Sequence, residues 1–114
     1  MHELSLANGI LAIIRAEQEK NGFRRVLEVS LKVGEYSGIV PRCLEEFFPI
    51  AAEGTAAEKA RLAIEVLPAV FRCPDCGFSG RPDRERACCP QCGGERIRMV
   101  SGREFYVENL TVES

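Results

Sequence analysis

A small α/β layer carrying an inserted cysteine-rich domain is the fold this sequence predicts. Three observations predict it. A helix-period apolar segment leads the chain, two segments of strand period follow later, and after Cys73 the composition switches to Cys, Pro, Gly and Arg. The expected layer is mixed, with about three strands and two helices. Its segments are residues 1–70 and 101–114, and residues 71–100 form the inserted domain.

The first element is "LSLANGILAIIRAEQEKNG", where Leu6, Ile10, Ile13 and Ile14 recur at helical spacing and Arg15, Glu17, Glu19 and Lys20 take the opposite face. Ser5 is a candidate cap, and Asn21-Gly22 is a stop signal. "RVLEVSLKVGEYSG" then alternates, with Leu27, Val29, Leu31 and Val33 on one face and Glu28, Ser30 and Lys32 on the other. That is a half-buried strand. "VPRCLEEFFPIAAEGT" reads as a second helix with Pro41 in its first turn, Gly54 near its end and Leu44, Phe47, Phe48 and Ala51 as its apolar stripe. Pro49 removes a backbone donor and is expected to kink or shorten this helix. "ARLAIEVLPAVFRC" is a further strand, with Leu62, Ile64 and Val66 on one side, and "RIRMVSGREFYVENLTVE" supplies two more around Ser101-Gly102.

With 114 residues the chain is one domain, or one domain with a small satellite. Its longest apolar run near the start is "ILAII", closed by Arg15, which is too short for a signal peptide or a membrane span. A soluble, cytoplasmic protein is therefore expected. The formal charge of −2 gives no global attraction to nucleic acid or to an anionic membrane.

The six cysteines are the most informative part of the composition. Without a signal sequence, they point to metal ligation rather than disulfides. "CPDCG" at Cys73 and Cys76 is matched by "CPQCG" at Cys89 and Cys92, with twelve residues between the pairs. Each knuckle places two thiolates on one side of a tight turn, and its glycine allows the positive φ that aims backbone amides at sulfur. Two knuckles supply the closed tetrathiolate of structural zinc, so this is a zinc-ribbon-like domain. Rubredoxin-type iron uses similar knuckles. "CCPQC" offers two registers; Cys89 has the knuckle spacing, which leaves Cys88 a bystander thiol, and Cys43 reads as a small buried hydrophobe on the second helix. Residues 72–103 carry seven arginines against four acidic side chains, but a zinc tetrathiolate takes back about two of those charges. Phe78 is the only aromatic between the knuckles, so nucleic-acid binding by this domain is the weaker reading, a solvated arginine-rich surface the stronger.

His2 is the sole histidine of the chain, in "MHELSLANG". The Met1 amine, the His2 amide and the His2 imidazole are close-set nitrogen donors. Amine to amide closes a five-membered chelate ring and amide to Nδ1 a six-membered one, while the Glu3 amide competes for a place. Ni(II) and Cu(II) favour such tetragonal nitrogen sets. With one histidine there is no Ser-His-Asp set, and no phosphate-cradling glycine loop appears. Two rivals stand beside a metal carrier: a zinc-ribbon module for nucleic acid or protein, and a rubredoxin-like electron carrier.

The opening "MHELSLA", the central "EGTAAEKARLAIEVLPA" and the paired "CPDC" and "CPQC" together resemble the HypA/HybF family of hydrogenase maturation factors, over essentially the full length. The resemblance implies a non-enzymatic nickel metallochaperone. It implies nickel at Met1, His2 and Glu3, and zinc at Cys73, Cys76, Cys89 and Cys92. The implied partners are the GTPase of nickel delivery and the hydrogenase large-subunit precursor, with urease maturation proteins served by some members. Some relatives carry histidines near the knuckles. This chain has none there, so a second imidazole cannot complete the nickel sphere from within the chain.

Overall fold

A computed structural model describes residues 3–114. Leu6, Ala7, Ile10, Leu11 and Ile14 form the buried side of helix α1 (Glu3–Asn21). Gly22, at φ +67°, ends it by donating its N–H to the Gln18 carbonyl at 2.8 Å. The expected cap is corrected: α1 is already helical at Glu3, so Ser5 lies inside the first turn. Ile13 is also misplaced by the sequence, since it is 45% exposed while Leu11 takes the core position.

Strand β1 (Arg25–Gly34) follows after a short turn. Helix α2 (Pro41–Ala52) opens on Pro41, where a missing N–H costs nothing, and Val40 offers no side-chain cap. Leu44, Phe48 and Ala52 are its buried residues, while Phe47 faces solvent. Pro49 does not shorten α2, which runs three residues past it before Glu53 turns to extended backbone. Cys43 is half-buried rather than buried. Strand β2 (Arg61–Leu67) packs Leu62 and Ile64 against the core and leaves Val66 exposed.

Strands β3 (Val70–Arg72), β4 (Ser79–Gly80) and β5 (Arg98–Ser101) precede the long β6 (Phe105–Glu113). Two sheets result, in the orders β2-β1-β6 and β4-β3-β5. β1 is parallel to β2 and antiparallel to β6, so the first sheet is mixed. The two strands expected around Ser101-Gly102 are therefore not a hairpin; they belong to different sheets.

The alternation expected of β1 breaks near its start. Val26 pairs with Val112 and Glu28 with Thr111, so Leu27 is the extra residue of a β-bulge. Val26 is buried and Leu27 is 45% exposed, the reverse of what spacing alone predicts. Past the bulge, Val29, Leu31 and Val33 point inward as expected.

The core lies between one face of the β2-β1-β6 sheet and the two helices, joining α1 and α2 to Val26, Val29, Leu31 and Val33. The other face carries cross-strand ion pairs, Glu28 with Arg61 and Lys32 with Glu65 and Glu108. The short turn at Gly22 doubles α1 back along β1, and a helix joining parallel strands must run against them. Both helices thus begin at the end of the layer where β1 finishes. No helix among the described residues is long and apolar enough to cross a membrane.

Candidate metal centre

The two knuckles fold alike because the same residues recur in each. The Gly77 N–H donates to the Cys73 carbonyl at 2.9 Å, and the Gly93 N–H to the Cys89 carbonyl at 2.8 Å. These glycines stand at φ +80° and +77°, where a side chain is strained. Each knuckle also closes by a return bond, Cys73 N–H to the Phe78 carbonyl at 2.9 Å and Cys89 N–H to the Gly94 carbonyl at 2.8 Å. The amides of Gln91 and Gly94 lie 3.4 Å from the sulfurs of Cys89 and Cys92.

Between them the knuckles bring Cys73, Cys76, Cys89 and Cys92 together, with all four Sγ atoms within 4.8 Å of one another. Cys73 and Cys92 are 3.7 Å apart, Cys76 and Cys89 3.6 Å. A disulfide needs about 2.05 Å. A tetrahedral ion with bonds of about 2.3 Å to sulfur spaces its ligands by about 3.8 Å, so the four thiols fit zinc. Cys88 stays outside the cluster; its carbonyl accepts the Asp83 N–H at 2.9 Å.

The protons of the cluster are shared unevenly. Burial raises Cys89, but the amides of Cys92 and Gln91, joined by the Cys76 and Cys92 thiols, bring it down to about 7. The Phe78 amide lowers Cys76, but burial and the neighbouring thiols push it up to about 12. Amides aimed at sulfur stabilise the thiolate, the form a metal requires.

An Asp75–Arg96 ion pair spans the knuckles, and Arg96 holds the Asp75 carboxyl below its ordinary range. Asp83 orders the intervening loop by accepting the Glu85 N–H at 3.0 Å and the Arg86 N–H at 3.3 Å. Sequence reasoning singled out none of these three residues, although an Asp after Pro is a turn former and could have flagged Asp83.

Of the nitrogen-rich terminus, Met1 and His2 lie outside the described residues, and Glu3 is the half-buried first residue of α1. Glu3 therefore sits at the same end of the layer as the junction with the cysteine domain.

A family model described as hydrogenase/urease nickel incorporation, metallochaperone, hypA matches residues 1–112. A hydrogenase maturation factor HypA from Chlorobium limicola is 42% identical over 113 residues, which is 99% of this chain and 97% of that one. Its namesake in Methanocaldococcus jannaschii is 39% identical over 121 residues, 99% of this chain and 98% of that one. The solution structure of the Ni metallochaperone HypA from Helicobacter pylori shares the fold, with a TM-score of 0.69 at 22% identity over 100% of this chain and 99% of that one.

Proposed function

This chain belongs to the HypA family of nickel-incorporation metallochaperones, and on that premise we propose that it carries Ni(II) at its N-terminus and yields it to a maturation partner without catalysing a reaction. The observation that carries this reading is the family match itself, which runs from Met1 through both knuckles. Met1, His2 and Glu3 are the proposed nickel ligands, held by residues 1–70 and 101–114. Cys73, Cys76, Cys89 and Cys92 are the proposed zinc ligands, within residues 71–100. Zinc bound there would tie the knuckles together. A closed tetrathiolate leaves no position for a reacting group, so its work is structural.

A nickel sphere built from main-chain nitrogen at a chain end has few protein contacts to break on release. The GTPase of nickel delivery and the large-subunit precursor of nickel–iron hydrogenase are the proposed receivers, with urease maturation proteins as a second outlet. Amine and imidazole nitrogens must give up their protons to ligate, so nickel is expected to leave as pH falls.

The test is a Ni(II) titration of the wild type, of His2→Ala and of a variant with one extra residue before Met1, each at equal zinc content. Both variants are expected to bind nickel roughly 100-fold more weakly, about 2.7 kcal/mol. Unchanged affinity in both would refute the terminal site.

A further inference from the structure

Among the described residues, backbone hydrogen bonds tie the segments flanking the cysteine module to the layer at the end of β1. There the Gly34 N–H donates to the Glu104 carbonyl at 2.7 Å, the Glu35 N–H to the Leu67 carbonyl at 2.8 Å and the Tyr36 N–H to the Gly102 carbonyl at 2.7 Å. These bonds reach only the two segments by which the chain enters and leaves the module. Two extended segments alone would leave the module free to swivel.

The polar side-chain contact that reaches the module itself is made by Glu35. Its Oε1 accepts the Ala69 N–H at 2.8 Å and an Arg81 guanidinium N–H at 2.6 Å. Arg81 directly follows β4, in the loop between the knuckles. Among the described residues, no other ion pair or side-chain hydrogen bond joins residues 70–101 to the layer. Beside it, the Tyr36 ring meets Phe71 of β3 edge-on, with centroids 5.9 Å apart and planes at 73°.

We propose that Glu35 is a positioning residue, which holds Arg81 and the Ala69 amide on one carboxylate oxygen and so fixes the orientation of the cysteine module against the end of the layer where α1 and α2 begin. The purpose of that orientation rests on the nickel-carrier reading, since α1 follows directly on Met1 and His2. The orientation itself does not.

A half-exposed ion pair adds little to stability, because solvent screens it and two side chains must be ordered to make it. Unfolding midpoints are therefore the wrong readout, and the relative orientation of the two halves is the right one. Residual dipolar couplings would be measured on the full zinc-loaded chain without nickel, so failure of the nickel site leaves the result untouched. The wild type is expected to fit a single alignment tensor. Glu35→Ala and Arg81→Glu are expected to need two, and Arg81→Lys, which keeps the charge, to retain one. The Ala69 amide should exchange roughly tenfold faster in Glu35→Ala, where its charged acceptor is gone. Wild-type shifts in β1, β2 and β6 would establish that each variant is folded, and Arg81→Glu, on an exposed loop, keeps the test open if Glu35→Ala does not fold. A single tensor at the wild-type orientation in the folded variants would overturn the proposal.

Discussion

A Cβ added at Gly34 would overlap the Gly102 carbonyl and lie 2.7 Å from the Arg103 nitrogen. Both contacts are with backbone, which cannot rotate aside. Gly34→Ala is therefore expected to destabilise the protein by at least ~2 kcal/mol, the scale of overpacking a tight site. Urea unfolding followed by helical circular dichroism measures it, and a change within ~0.5 kcal/mol would show that the junction gives way. Nothing in "VGEYSG" announces this constraint, because the backbone it meets comes from the far end of the sequence. Glu35 is hidden for the same reason, as a lone carboxylate until the fold brings Arg81 to it. The cysteines are the opposite case. Their spacing is local, so the knuckles, the choice of Cys89 over Cys88 in the cluster and the role of Gly77 and Gly93 are legible in the sequence alone. The terminal Met1 and His2 are legible only as donor chemistry, and the described residues begin after them.

At the scale of elements, the helices and the long strands could be read from period, and the failures share one cause. A bulge, an exposed apolar residue or a strand that changes sheets depends on neighbours across space, not along the chain. Leu27 is outside because β6 forces an extra residue into β1. The pairing of β1 with both β2 and β6 also sets the electrostatics of the outer sheet face, where Lys32 lies between Glu65 and Glu108. The hydrogen bond to Glu65 raises the Lys32 pKa; burial opposes it and the Glu108 charge adds to it. A raised pKa means the folded state holds its proton more tightly than the unfolded one. The contribution is then fully present below the unfolded value of about 10.4 and is lost as pH rises through the folded one. Wild type should lose more stability than Lys32→Met as pH rises past about 10.4, in urea midpoints read on the layer. Parallel curves for the two proteins would show that the pair contributes nothing to this sheet.

Taken as a whole, the described residues form one apolar core and one module built around four cysteines, extended along a long axis of 55 Å against 25 and 17 Å. Among the described residues, the layer buries fourteen apolar residues between sheet and helices. In the module, between β3 and β5, the buried residues are Cys73, Cys88 and Cys89, and its strands are only two to four residues long. Four thiols thus stand where a core would be, and a structural zinc site supplies about 10–16 kcal/mol to such a fold at neutral pH. A chelator strong enough to strip zinc is expected to divide the molecule. Amide signals from residues 73–97 should collapse toward unfolded positions, while β1, β2, β6 and both helices keep theirs and helical circular dichroism holds. Arg81 lies inside the collapsing segment, so the Ala69–Glu35 contact should loosen in the same step, with Ala69 exchanging faster although it lies outside the knuckles. Global unfolding on chelation would mean that the layer leans on the module for stability. Retention of the module signals would mean that its short strands suffice without metal. The architecture predicts neither: the layer is expected to keep its own stability, and a metal on the four thiols to govern only whether the module is folded and held against it.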